Sequence, residues 1–149
     1  MKTTIDVSKK FNLNNINLDL SKELNYAGDI IVKDHFQRLE RGLDANEKNM
    51  KPLKDSTIKA KGFNQILVDK DKMRRLVRTR ATSSKQSVLI KPGDKQKRKG
   101  GVTNADIGLF HQQGGKNLPQ RQWFGITKTA EKQALMVIEK SIDKAIKNA

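Results

Sequence analysis

From Leu20 onward, Leu24, Ala27, Ile31, His35, Leu39 and Leu43 recur every three or four residues, and Val32 and Phe36 widen the stripe. That period predicts an amphipathic helix with one face in a core. Asp19 or Ser21 can cap its start, because a side-chain oxygen there accepts from backbone N–H groups that lack an intrahelical partner. Gly42 leaves its last turn open. A second stripe, Leu135, Ile138, Ile142 and Ile146, follows Thr127 and predicts a terminal helix capped by that threonine. Ahead of the first helix, Thr3 to Val7 alternates weakly and suggests a short strand. The Asn- and Lys-rich stretch from there to Asp19 reads as a loop.

The middle of the chain is less regular. Pro52 forbids a helix interior and pushes Lys51 toward extended geometry. Asp55-Ser56-Thr57 offers a cap for a short turn through Ile58 and Lys61, which Gly62 can end. Ile66, Leu67 and Val68 form an apolar patch that suits either helix or strand. Residues 72–79 predict a short helix: Met73, Leu76 and Val77 share one arc, and Arg74, Arg75 and Arg78 share the other, facing outward. Val88 to Ile90 predicts a strand over Ser87 to Lys91, and Pro92-Gly93-Asp94 signals a turn. Residues 93–102 have almost no apolar anchor and read as a flexible basic loop.

Thr103-Asn104-Ala105-Asp106 has the spacing of a capping box, so a helix carrying Ile107, Phe110 and His111 should follow and end at Gly114-Gly115. Pro119 to Gly125 is expected to be extended, with Trp123 the largest apolar anchor. The expected fold is one α+β domain over residues 1–149, its helices packed on a small antiparallel sheet, with a long basic loop. The expected core anchors are Ile31, Phe36, Leu39, Phe110, Trp123, Ile138 and Ile142.

Charge changes this picture. The chain has 149 residues, 31 Lys and Arg against 16 Asp and Glu, and a formal charge of +15. Residues 70–100 hold 12 of the basic side chains and 2 of the acidic ones, a net of +10. Such a block attracts phosphates by counterion release or meets an acidic protein surface. There is no cysteine, which excludes disulfides and thiolate zinc sites. No apolar run has the length of a membrane span, and Met1 to Lys10 lacks the apolar stretch of a secretory signal. A soluble intracellular protein with no membrane association is the expectation.

Catalytic chemistry finds little footing. His35 and His111 are the two histidines, and no acid stands near either at ligand spacing. His35 lies on the apolar stripe, which suits packing better than catalysis. Ser83-Ser84 has no neighbouring base, and no G-x-S-x-G elbow occurs. Gly115-Lys116 superficially matches a phosphate loop, but Phe110 holds the first glycine position and Asn117 replaces the magnesium-binding Ser or Thr. The chain is therefore expected to be no enzyme and to need no cofactor or metal.

Five segments occur in a telling order: Lys51-Pro52-Leu53-Lys54-Asp55-Ser56-Thr57; Lys61-Gly62; Ile66-Leu67-Val68 with Met73-Arg74; Phe110-His111-Gln112-Gln113-Gly114; and Pro119-Gln120-Arg121-Gln122-Trp123-Phe124-Gly125-Ile126-Thr127. Together they resemble the phage virion morphogenesis family, the tail-completion proteins of contractile-tailed phages such as Mu and P2 and of related prophages. The likeness spans about residues 28 to 147. Two positions depart from the family pattern. Met50 stands where a Trp usually precedes the Pro-Leu pair, and Asp69-Lys70-Asp71-Lys72 replaces a stretch that commonly carries Gly before the Met-Arg pair.

The resemblance implies a non-enzymatic structural protein that acts in tail completion or head–tail joining, as an oligomeric ring, with an α+β fold. It implies phage tail or neck proteins and further copies of the chain as partners, assembly in the bacterial host cytoplasm, and a final place in the virion tail or neck. Arg74, Arg75, Arg78, Lys95, Lys97, Arg98, Lys99 and Arg121 are the expected assembly or partner contacts. The alternative reading is a nucleic-acid-binding protein that uses the basic segment 70–100, with non-specific DNA contact. That segment lacks interleaved aromatics for base stacking.

Overall fold

The first apolar stripe folds as helix α1, Ser21–Glu40, in the computed structural model, which describes residues 2–6, 18–68, 73–93 and 96–147. The other elements are β1 (Thr3–Asp6), α2 (Asp55–Lys61), β2 (Leu76–Arg78), β3 (Ser87–Pro92), α3 (Asn104–Gln113) and α4 (Lys128–Lys147). The strands form one antiparallel sheet in the order β1-β3-β2. The fold class is α+β, as the periodicities require. None of the described helices is long and apolar enough to cross a membrane. The chain divides into two compact units.

The helix–sheet unit comprises Lys2–Asp34, Arg78–Lys91 and Ile126–Ala149. Here β1 pairs with β3 in the register Thr3↔Ile90 to Asp6↔Ser87. Val88 and Ile90 are buried while their strand neighbours are half-buried, the two-residue alternation of a sheet with one covered face. Helix α1 lies close on that face. A Cβ added at Gly28 would stand 3.1 Å from Val88 Cγ1, so a larger residue there would require Val88 to give by a few tenths of an ångström. Arg78 forms an ion pair with Asp29 on the same helix. The Asn25 amide brackets Ala81, donating to its carbonyl at 3.0 Å and accepting from its N–H at 2.9 Å.

Asp19 accepts from the Ser21 N–H at 2.9 Å, as its place before α1 suggests, and this bond lowers its carboxyl pKa. At α4, Thr127 Oγ1 accepts from the Ala130 N–H at 3.0 Å and donates to Asp34 at 3.1 Å. The buried face of α4 is Ala130, Ala134, Ile138 and Ile142, a strict four-residue repeat. Leu135 is half-buried, one position off that row, and Ile146 is 57% exposed in the last turn of the helix.

The second unit comprises His35–Val77 and Pro92–Gly125. It holds the end of α1, helices α2 and α3, and a series of hydrogen-bonded turns. The capping box forms as spaced: Thr103 Oγ1 accepts from the Asp106 N–H at 3.1 Å, and Asp106 accepts from the Thr103 N–H at 2.9 Å. Helix α2 begins after Lys54, which has no side-chain cap bond, instead of being capped from within Asp55-Ser56-Thr57.

Three expectations about this unit change. Residues 76–78 are strand, not helix: so short a helix as the expected 72–79 is marginal alone, and pairing with β3 satisfies the backbone instead. Met73 and Arg74 then fall together in a turn, and both are buried. Phe36 and Phe110, expected in the core, are 37% and 48% exposed. Phe36 is one step off the Ile31–His35–Arg38–Leu39 face of α1, and Phe110 lies across α3 from the buried Gly108. The basic segment also has local structure over its described part. Arg98 accepts from the Gly101 N–H and donates its own N–H to Val102 at 2.8 Å, turning the chain at Gly100-Gly101. Val7, residues 7–17, Asp94 and Lys95 lie outside the described residues, and with them the rest of the first strand, the loop before Leu18 and one expected contact.

Candidate functional site

The second unit has little regular structure, so its backbone groups are satisfied by polar side chains reaching across from other segments. Arg121 is the centre of one such set. It is 5% exposed, and its Nε and Nη2 donate to the carbonyls of Lys51 and Pro52 at 3.1 and 3.2 Å. Its backbone N–H donates to His111 at 2.7 Å. Gln112 brackets Phe124 in both directions, accepting from its N–H and donating to its carbonyl, each at 3.0 Å. One arginine and one glutamine thus tie the Pro-Leu, His-Gln and Pro-x-Arg segments together.

Trp123 is the floor of this arrangement, fully buried, with its indole N–H on the Gly108 carbonyl at 2.7 Å. A Cβ on Gly108 would lie 2.6 Å from Trp123 Cζ2, so only glycine lets α3 come this near the ring. The Trp123 carbonyl accepts from Arg38 Nη2 at 3.0 Å, and Arg38 Nη1 reaches the Leu43 carbonyl at 3.1 Å. Arg38 also lies 3.3 Å from His35 Nδ1. A guanidinium only donates, so Nδ1 accepts and the neutral ring carries its proton on Nε2. Burial, with the charges of Arg38 and Arg74, pushes the His35 pKa down from 6.5 to about 3. His35 packs against Phe36, Trp123 and Phe124 at centroid distances of 5.3, 5.7 and 6.2 Å. It is a neutral core residue.

Two hollows adjoin these ties. The smaller, about 200 Å³, has Leu53, Thr57, Lys61, Leu67, Val68 and Met73 on one side and Arg98, Ile107, His111 and Arg121 on the other. Each of the five ordered segments contributes at least one wall residue. The larger is an open cleft of about 760 Å³ formed by Lys51–Lys54, Thr57, His111, Arg121 and the turn Gly115–Pro119. Burial and the charges of Arg121 and Lys61 lower the His111 pKa, so this ring is neutral at pH 7. Among the described residues, no three His, Cys, Asp or Glu side chains gather to hold a metal.

The expected contact residues separate into two groups. Arg74 and Arg121 are buried, Arg78 is half-buried and paired with Asp29, and Arg98 donates through Nε to Asn104 Oδ1 at 2.6 Å. Arg78, Arg98 and Arg121 thus hold the fold, because a guanidinium can reach main-chain or side-chain acceptors where the chain is irregular, and Arg74 is enclosed in it. Arg75, Lys97 and Lys99 are exposed. Sequence reading missed Arg38 and Gln112. Arg38 carried a signal: it lies three residues from His35, in phase with the apolar stripe, where a cation needs internal acceptors. Gln112 carried none beyond its place in the His-Gln segment. No family model, no curated protein and no solved structure matches the chain.

Proposed function

We propose that the chain is a non-enzymatic structural protein of phage assembly, acting in tail completion or head–tail joining as a ring of identical copies. It would be made in the bacterial host cytoplasm and reside in the virion tail or neck, with tail or neck proteins as its partners. The observation that supports this reading is the meeting of all five ordered segments at one small pocket. Residues far apart in sequence serve one local structure there, as expected if the segments are a shared structural signature and not a coincidence of composition. The arginines at that pocket are engaged in structural hydrogen bonds, which suits an assembly role. Interrupting the gene in the phage or prophage that carries it, and imaging the lysate by electron microscopy, tests the proposal. Filled heads beside unjoined or abnormal tails are the expected outcome, and whole virions would overturn it.

A second reading, DNA contact through the basic segment, keeps support from exposed Lys97 and Lys99. It loses Arg74 and Arg78 to burial and pairing. DNA binding whose log K falls by several units per log unit of salt would favour it, and a flat response would remove it.

A further inference from the structure

We propose that the open cleft of the second unit is a docking groove for an acidic, aliphatic-rich protein segment. This does not depend on the phage reading. The cleft runs between the extended stretch before α2 and the tight turn after α3, where Gly115 and Leu118 bridge. Lys51, Lys54 and Lys116 stand exposed along it, and no Asp or Glu lines it. Between the lysines, Leu53, Leu118 and Pro119 give half-buried apolar surface. Asp55 and Asp106 belong to the same unit but do not line the cleft.

That combination selects a class of occupant. Cations without local counter-charges favour a polyanion by charge complementarity. A nucleic acid would also satisfy them, but it gains most from aromatic platforms under its bases, and no Phe, Tyr or Trp lines the cleft. Leucine and proline walls instead accept aliphatic side chains, whose burial adds to the charge attraction. The walls are preformed, since Arg121 fixes the Lys51-Pro52 backbone through two hydrogen bonds and so reduces the ordering cost of binding.

The test uses the full-length protein and a fluorescein-labelled peptide of alternating leucine and aspartate, followed by anisotropy. Saturable binding is expected. The variant K51E/K54E/K116E should bind at least roughly tenfold more weakly, because it reverses the charges that face the ligand. The variant K132E/K140E/K144E changes the net charge equally on exposed positions of α4, and should bind nearly as well as the parent. Circular dichroism checks both folds, and K51Q/K54Q/K116Q replaces the first should it misfold. Leu118→Ser should weaken binding several-fold with no change of charge. Undetectable binding, equal losses in the two charge variants, or equal competition by oligothymidylate would each overturn the proposal.

Discussion

The two units are stabilised in different ways. The helix–sheet unit relies on regular elements whose apolar residues fall at fixed periods: Val88 and Ile90 on a strand, Ala130, Ala134, Ile138 and Ile142 on α4. Its backbone is satisfied mainly by its own ladders and helical turns. The second unit has long stretches without such ladders. Arg38, Gln112 and Arg121 donate to main-chain carbonyls that regular structure would have paired. Irregular backbone therefore carries a demand for polar side chains in the interior, and those side chains cannot be exchanged freely. A repeating apolar face tolerates replacement of one aliphatic by another far better. The unit with the least regular structure is accordingly the one in which single residues matter most, and it holds both hollows.

Trp123→Ala is expected to have the largest effect, about 3–5 kcal/mol, because it removes a fully buried ring and its indole hydrogen bond to Gly108. Urea denaturation followed by circular dichroism measures it; a loss below about 1 kcal/mol would deny the ring its central place. Arg121→Met should cost about 2–3 kcal/mol, since it keeps the side-chain volume and removes two charge-assisted bonds. If Ile138→Val, expected to cost about 1 kcal/mol, proved more damaging than Arg121→Met, the contrast between the units would fail.

Acid should affect the second unit through its histidines. His35 is held neutral, with its pKa near 3 in the fold against 6.5 in the open chain. Between those values the unfolded chain binds the extra proton, so stability falls as pH drops through 6.5 toward 3. At pH 5 the loss from this residue is about 2 kcal/mol relative to neutral pH. His111, also lowered, acts with the same sign. Stability measured against pH should have a shallower acid slope in His35→Leu, and parallel curves for parent and variant would show that His35 is not held neutral. Trp123 is the only tryptophan, so its fluorescence follows the second unit directly.

The same contrast explains what could be read from sequence. The helices with clean periods, α1 and α4, and the capping box at Thr103 were legible because propensity, pattern and cap agree there. The strand over 76–78 was not, because three residues are too few to show a period and a partner strand decided the outcome. Arg74 was read as outward-facing and Arg121 as a partner contact, since arginine is usually exposed; both are buried, and the burial of Arg121 depends on the Lys51 and Pro52 carbonyls that only the folded chain brings to it. The five ordered segments could be named in sequence, but their meeting at one pocket could not. Phe110 looked like a core residue by type, yet α3 turns its glycine toward Trp123 and leaves the phenylalanine outside.

At the helix caps the order between the units reverses. Thr127 is fully buried in the helix–sheet unit and serves twice, accepting from Ala130 and donating to Asp34. Thr127→Ala should therefore cost about 1–2 kcal/mol, the upper part of the range for a threonine cap. Thr103 caps α3 of the second unit from a half-exposed position, where water can replace part of what the hydroxyl supplies. Its alanine variant should cost less. The Asp106 carboxyl, whose pKa is lowered by bonds from Thr103, adds a pH signature. Its contribution is present above its unfolded pKa and is lost as pH falls through the folded value. Thr103→Ala should therefore weaken the acid-side loss assigned to Asp106, while Thr127→Ala leaves it unchanged. A larger loss in Thr103→Ala than in Thr127→Ala would mean that burial is not what sets the strength of these caps.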